Sequence, residues 1–442
     1  MSSIPSYSPF ATPLGGLSRR QAWALTLVAT FTMAVSYIDR QTLSVIAPAV
    51  QSSLGIDDVA YGWLVSAFSI AYLVGAPLAG RLIDRVGARR GLLVAVIVWS
   101  GVAALHTLVP GFGVLFALRI ALGLAESPSF PGAAQTIHRA LPPKDRPRAL
   151  GVLFSGSSIG AMFAPLLATS LANHFGWRVA FVGTALVGLS WVPIWLYVTR
   201  TPEARAALDH PENEAETPIA SAHDVASSTP RAPLGPLALL THPAVLRAVL
   251  VVLATSPILS FYFNWSAKYL VHDQHLAQAD LARYLWFPPL FFDAGAIFFG
   301  HAASRARARG EDGVPRRLVA IATALMMASF YAPFAGGPLA VLLVASVSLS
   351  GGGGLFALAT TEMMARVPSR QVSAAGGITA AAQSLAYIIA NPLIGRSIQA
   401  SGSYTAAFLT LTAWVLPGCG LWLLWHHAGS SRAGPVSTDR TH

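Results

Sequence analysis

The chemistry in this sequence begins with charged residues in unfavourable surroundings. Asp39 and Arg40, Arg119 and Glu126, Lys268, Asp293 and Glu362 lie within or at the ends of long apolar stretches. An ionisable side chain inside a bilayer costs about 2.5–3.5 kcal/mol on insertion scales, so each needs a reason. Arg119 and Glu126 are seven residues apart. On a helix that is two turns, so they share a face with ~10.5 Å between them along the axis. The separation is too great for a direct pair on a straight helix. It leaves room for a partner from another element, and Asp39 or Arg40 is the natural candidate. Two readings are open. One is a buried charge network that fixes helix packing. The other is a proton relay beside an anion site. A carboxylate in a partly dry cavity holds its proton more tightly and can load and release it. Arginine keeps its charge and serves as a permanent anion clamp. Tyr37, two residues before Asp39, belongs with this cluster, whereas Tyr72, Tyr262, Trp265 and Tyr269 read first as interface anchors.

A second group of charges follows one apolar stretch directly. Gly80-Arg81-Leu82-Ile83-Asp84-Arg85-Val86-Gly87-Ala88-Arg89-Arg90 combines a Gly, an Asp four residues later and a basic turn. At a membrane edge these residues help to set topology, and Asp84 with Arg85, Arg89 and Arg90 is expected to act as a state-dependent latch between helix ends. Asp293 reads equally as a structural pair or a functional group. Glu362, close to Arg366, reads as a solvated edge residue. Two pattern matches are discounted. Gly156-Ser157-Ser158-Ile159-Gly160 fits a nucleophile elbow, which needs a strand–turn–helix and a placed His. Here it sits in an apolar helix, where small residues permit close helix contact. Gly351 to Gly354 lacks the Lys-Ser/Thr of a phosphate loop and reads as a flexible or closely packed part of a helix. The 12 histidines show no ligand spacing, and nothing points to a metal, a cofactor or an enzyme.

The elements that must position these residues are membrane helices. Of the 442 residues, 54% are hydrophobic and only 11% charged, against ~25% charged in a soluble domain. That composition excludes an ordinary cytosolic enzyme and a disordered chain. One cysteine, Cys419, excludes an intramolecular disulfide framework. No cleavable secretory signal is expected. Twelve segments approach the ~20 apolar residues that a membrane span needs: 21–48, 61–80, 91–109, 112–136, 148–171, 178–198, 245–270, 281–303, 316–335, 338–361, 373–397 and 404–426. The expected fold is an all-α polytopic membrane protein of two six-helix pseudo-repeats, 21–198 and 245–426. Between them lies a polar loop, 199–244, read as a solvated linker with a short interfacial helix, and 1–20 and 427–442 are tails.

Orientation follows from Lys and Arg. With a cytoplasmic N-terminus, the cytoplasmic segments hold 23 of the 29, leaving Arg40, Arg119, Arg178, Lys268, Arg283 and Arg396. Both tails and the 199–244 loop are therefore placed in the cytoplasm. The net charge of +10 is mostly topology, and nucleic acid is not needed to explain it. The halves repeat weakly: Gly300-His301-Ala302-Ala303-Ser304-Arg305 echoes the Gly80 loop without its acid.

Two parallel six-helix repeats and the Gly80–Arg90 signature resemble the major facilitator superfamily. Tyr37-Ile38-Asp39-Arg40-Gln41-Thr42-Leu43-Ser44 resembles the start of its anion:cation symporters, with the closest likeness to bacterial hexuronate and aldonate transporters. Tyr61-Gly62-Trp63, Ser66-Ala67-Phe68, Tyr72, Gly123, Phe130-Pro131, Gly176-Trp177-Arg178 and Lys268-Tyr269-Leu270 support it across nearly the whole chain. The resemblance implies a proton symporter in a bacterial inner membrane, acting as a monomer on a small organic anion. Sugar acids come first and other carboxylates, including aromatic acids, next, with an exporter of the same superfamily as the rival reading. It makes Asp39 and Glu126 the proton-coupling carboxylates, and Arg119 the link between protonation and substrate. Arg40 becomes the substrate-carboxylate ligand, with Tyr37 and Tyr72 as contacts, and Ser157 and Lys268 complete the expected set. The chain departs from the family at Ala125-Glu126-Ser127-Pro128-Ser129-Phe130-Pro131, where Pro128 is expected to bend the helix just past Glu126. It departs again near Gln383 and Asn391, which do not align with the usual Asn before a Pro.

Overall fold

The computed structural model describes residues 16–142, 144–209, 235–311, 313–368 and 371–425, and among these it contains helices and no strand. The first half comprises α1 (Arg19–Val45), α2 (Ala47–Leu54), α3 (Asp58–Val86), α4 (Ala88–Leu105), α5 (Phe112–Glu126), α6 (Ser129–Ala140), α7 (Arg146–Phe175) and α8 (Trp177–Val198). Two short helices follow, α9 (Pro202–Asp209) and α10 (Pro236–Leu240). The second half comprises α11 (Pro243–Asn264), α12 (Ser266–His272), α13 (Leu281–Tyr284), α14 (Pro288–Ala308), α15 (Arg316–Met326), α16 (Pro338–Arg366), α17 (Val372–Ser401) and α18 (Thr405–Leu424). The tail residues 1–15 and 426–442, and 210–234 of the central loop, lie outside the described residues. So do Arg231, Arg370, Arg432 and Arg440 of the topology count.

Eleven of these helical stretches are long and apolar enough to cross a membrane, so the chain is a multi-pass membrane protein. The twelfth expected span, 281–303, does not meet that measure. Its residues begin as α13, and the long helix α14 starts only at Pro288; Asp293, His301 and the closing arginines dilute its apolar run. Two of the spans that carry the charged residues are interrupted where the sequence is polar or carries proline. α5 stops at Glu126, the chain turns through Ser127-Pro128, and α6 resumes with Gly132 N–H donating to the Pro128 carbonyl at 2.9 Å. Proline has no N–H to continue the ladder, so the helical ladder is interrupted at Pro128 while Phe112–Ala140 still reads as one span. The expected 245–270 span is likewise divided at Trp265 into α11 and α12.

Local signals fix the ends. Ser18 and Gln21 form a reciprocal capping box at the start of α1. Asp57 caps α3, its Oδ1 accepting from Ala60 N–H at 2.7 Å. Gly87 turns the chain from α3 to α4 at φ +86°, a conformation that disfavours any residue with a Cβ.

Within the first half α1 packs on α6, α7 and α8, and α3 on α5; within the second, α14 packs on α16, and α11 on α16, α17 and α18. Small residues allow these approaches. A Cβ on Gly156 or Gly160 would strike the Thr30 or Ala34 carbonyl of α1, which explains the false nucleophile elbow as a helix contact. Gly351 to Gly354 are buried inside α16. A Cβ on Gly351 or Gly353 would meet the carbonyl of Ala322 on α15 or Phe292 on α14. This quartet is therefore a close-packing device rather than a flexible one. The outward faces carry exposed Leu78, Leu105, Phe175, Ile297 and Leu421, the surface expected where lipid is the solvent. α9 buries Ala204 and Leu208 against α4 and α6, so the start of the 199–244 loop is a docked helix.

Candidate substrate and coupling site

α1 and α5 bring the charged residues of the first half together. Arg40 Nε lies 2.8 Å from Glu126 Oε2, and Ser36, one turn earlier on α1, donates to the same oxygen at 2.7 Å. The partner expected near Glu126 is thus Arg40, and not Asp39. Glu126 is fully buried and the Arg40 side chain is 17% exposed. The pair is single-pronged. Glu126 Oε1 and Arg40 Nη2 are buried and have no hydrogen-bond partner among the described residues. A fork-to-fork pair would have used both, so one carboxylate oxygen and one guanidinium nitrogen are left over.

Aromatic rings enclose the guanidinium. Its Cζ lies 4.9 Å from the Tyr37 ring, 4.9 Å from Phe68 and 4.5 Å from Tyr72. Arg119 Cζ lies 5.0 Å from the same Phe68 ring. Such cation–π contacts stabilise a cation without neutralising it. Arg119 is buried, and its Nε and Nη1 find no partner among the described residues. Asp39 is 2% exposed, and neither carboxylate oxygen is hydrogen-bonded. Thr184 stands beside it with its hydroxyl turned to the Phe181 carbonyl at 3.2 Å, while Arg119 and Glu126 are the charges that act on it. Buried polar groups are ordinarily satisfied. The unused donors and acceptors of Asp39, Arg40, Arg119 and Glu126 are therefore exceptional for groups so deeply buried. Among the described residues no group of three potential metal ligands exists.

Residues 29–311 match the sequence profile of the Major Facilitator Superfamily. The chain belongs to that superfamily. This superfamily member is 27% identical over 409 residues to the probable galactarate/D-glucarate transporter of Bacillus subtilis (strain 168), covering 88% of this chain and 89% of that protein. It is 26% identical to the hexuronate transporter of the same strain, over 85% of this chain and 87% of that one. It is 24% identical to the D-galactonate transporter of Escherichia coli O6:H1, over 90% and 94%. Its fold is similar to a bacterial homolog of the human lysosomal transporter Spinster, solved inward-facing and unoccupied, with a TM-score of 0.74 and 16% identity over 92% of this chain and 97% of that one.

In this superfamily member the other expected site residues make contacts of their own. Lys268 is fully buried, but its ammonium pairs with Asp58 and lies 4.8 Å from the Tyr61 ring and 4.7 Å from Trp265. These partners are distinct from the Arg40–Glu126 pair. Ser157 is half-buried on α7, and its neighbour Ser158 lies beside Asp293 of the second half. Around the signature loop, Asp84 accepts from Gln135 Nε2 at 3.0 Å and Arg89 pairs with Asp209 of α9 at 2.6 Å. A Cβ on Gly87 would press on the backbone of that helix end, whereas one on Gly80 would meet open space; Arg85 and Arg90 are exposed. Glu362 is a correction. It is 3% exposed rather than solvated, and pairs with Arg247 at 3.2 Å and Arg366 at 3.4 Å. Arg247 also lies over Trp422 at 4.1 Å and donates to the Trp425 carbonyl at 2.8 Å.

Sequence reasoning missed Ser36, whose only signal is its place one turn before Arg40. It also missed Asp58 and Asn264. Asn391, read as out of register, is buried and accepts from Ser260 at 3.0 Å and Trp265 Nε1 at 2.9 Å. Its backbone carbonyl is where a Cβ on Gly62 would collide. Nothing in the local sequence signals that pairing.

Proposed function

We propose that the protein imports an organic anion together with protons, and that the substrate is a sugar acid: a hexuronate, aldonate or aldarate. The observation that carries this reading is the single-pronged Arg40–Glu126 pair inside a ring of aromatics, with Asp39 buried and unbonded beside it. While Glu126 is ionised it holds Arg40. Protonation of Glu126 removes that hold and leaves the guanidinium fork for a substrate carboxylate. Proton loading and anion binding then favour each other, which is what symport requires. Asp39 is the second proton site, and Arg119, near both acids, links the two events. Tyr37 and Tyr72 flank the anion, and Ser157 faces its hydroxyl groups. The names of the relatives support the sugar-acid choice. An inside-negative potential opposes anion entry by about 2.3 kcal/mol per charge per 100 mV. Co-transport of at least as many protons as anionic charges removes that opposition.

The protein acts as a monomer in the inner membrane, with both termini and the central loop in the cytoplasm. Its halves rock about the site, and Asp84, Arg89 and Asp209 tie helix ends in one of the two states. The three rings around Arg40 favour a second substrate class, flat aromatic carboxylates. The test is uptake into proteoliposomes under an inward pH gradient, with hexuronates, aldonates, aldarates, aromatic acids and neutral sugars as separate sets. Gradient-driven accumulation of a sugar acid is expected. Accumulation of neutral sugars alone, or uptake indifferent to the gradient, would overturn the reading.

A further inference from the structure

Burial along α3 changes with direction. From Tyr61 to Ala71 most of the helix is buried; beyond it only Gly75, Ala79 and Ile83 are, one residue per turn. The buried end faces α17 of the other half. A Cβ on Gly62 would strike the Asn391 carbonyl, and one on Gly395 the Asp58 carbonyl, so the two halves touch there backbone to backbone. Polar bonds cross at the same end: Ser44 donates to Asn264 Oδ1 at 3.1 Å, and Tyr61 to the Asn264 carbonyl at 2.5 Å. At the same end the Lys268 ammonium, wholly buried, meets Asp58, which keeps 26% exposure.

An ammonium without a counter-charge is strongly disfavoured in such a place. Asp58 is the carboxylate that pairs with it among the described residues. The Tyr61 and Trp265 rings close over the cation but cannot neutralise it. We propose that Asp58 and Lys268 form a charge bolt that holds this end of the transport path shut, and that parting the pair is the step that opens it. Asp58 belongs to the first half and Lys268 to the second, so any rocking of the halves that opens this end must break the bond. Both charges hydrate once it is broken, so the bolt is reversible. The inference rests on alternating access between the halves and not on which anion is carried. With the proposed orientation, this is the end away from the cytoplasm.

The test uses Ala161→Cys in a Cys419→Ser background. Ala161 lies in the space between the halves, with Ser44, Tyr262 and Ser266. Labelling by an impermeant maleimide is compared in intact cells and in inverted vesicles. Asp58→Asn strands the ammonium and should raise the outside-to-inside labelling ratio about tenfold. Lys268→Met should change it less, because an apolar chain suits the cage of rings and Asp58 can reach water. Asp58→Asn with Lys268→Met should return towards the parent. A folded Asp58→Asn protein with the parent ratio would overturn the bolt. If Asp58→Asn does not fold, the double variant decides: recovery of folding supports the pair, and no recovery overturns it. A tenfold change of opposite sign keeps the bolt and overturns the orientation.

Discussion

At the residue scale, the properties of this site follow from two charges that do not exhaust each other. Glu126→Gln keeps the shape of the protonated acid but cannot shed a proton. It should bind substrate and exchange it across a membrane with substrate on both sides, yet fail at uphill uptake driven by a pH gradient. A packing-only role for Glu126 predicts instead a lowered melting temperature, with binding, exchange and uphill uptake lost together. Proton-driven uptake at the parental rate by folded Glu126→Gln protein would sink the coupling role. Arg40→Lys should weaken anion binding by about tenfold or more although the charge is kept, because an ammonium cannot offer two parallel donors. Isothermal titration against the best substrate checks this, and unchanged affinity would place the clamp elsewhere. Arg247→Met should destabilise the second half. Breaking a buried ion pair costs about 3–5 kcal/mol when the other charge is stranded, and Arg366 at 3.4 Å offsets part of that. The readout is the melting temperature, with substrate affinity unchanged.

At the element scale, the helices meet through small residues, and that closeness can be tested apart from chemistry. A Cβ on Gly353 must displace either the α14 backbone or α16 itself. Gly353→Ala should therefore lower stability by about 1–3 kcal/mol, as overpacking does, seen as a reduced melting temperature. Gly80→Ala meets open space in this state and should melt like the parent. Loss of transport by Gly80→Ala without loss of stability would show that Gly80 is needed close-packed in the opposite state. The Ser127-Pro128 break belongs to this scale as well. It ends α5 at Glu126 and leaves that carboxylate at a helix terminus, beside the residues that α1 presents.

At the scale of the whole molecule, the arginine pattern predicts which way the protein lies. Ala220→Cys in a Cys419→Ser background should resist an impermeant maleimide in intact cells and react in inverted vesicles. Labelling of intact cells would reverse the proposed topology. The two ends of the molecule differ in kind. At one, Asp58, Gly62 and Gly395 bring the halves together. At the other, Arg89 and Asp84 bond to Asp209 and Gln135, within the first half and its adjoining helix.

The sequence by itself determined the class of the molecule. Apolar length forces membrane helices, Lys and Arg favour one orientation, and the seven-residue spacing of Arg119 and Glu126 puts them on one face. It narrowed the partner of Glu126 to Asp39 or Arg40, because buried charges need company. The choice between them was decided only by the tertiary structure, since α1 is placed by its packing on α6, α7 and α8 and α5 by its packing on α3 and α4, not by local spacing. The same holds for Lys268 and Glu362. Each lies near the end of an apolar run, where a charge ordinarily reaches water. Each is buried because a residue more than a hundred positions away, Asp58 or Arg247, is brought against it. Local sequence carries the energy of placing a charge in a membrane; only the assembled helices supply the counter-charge that makes the placement stable.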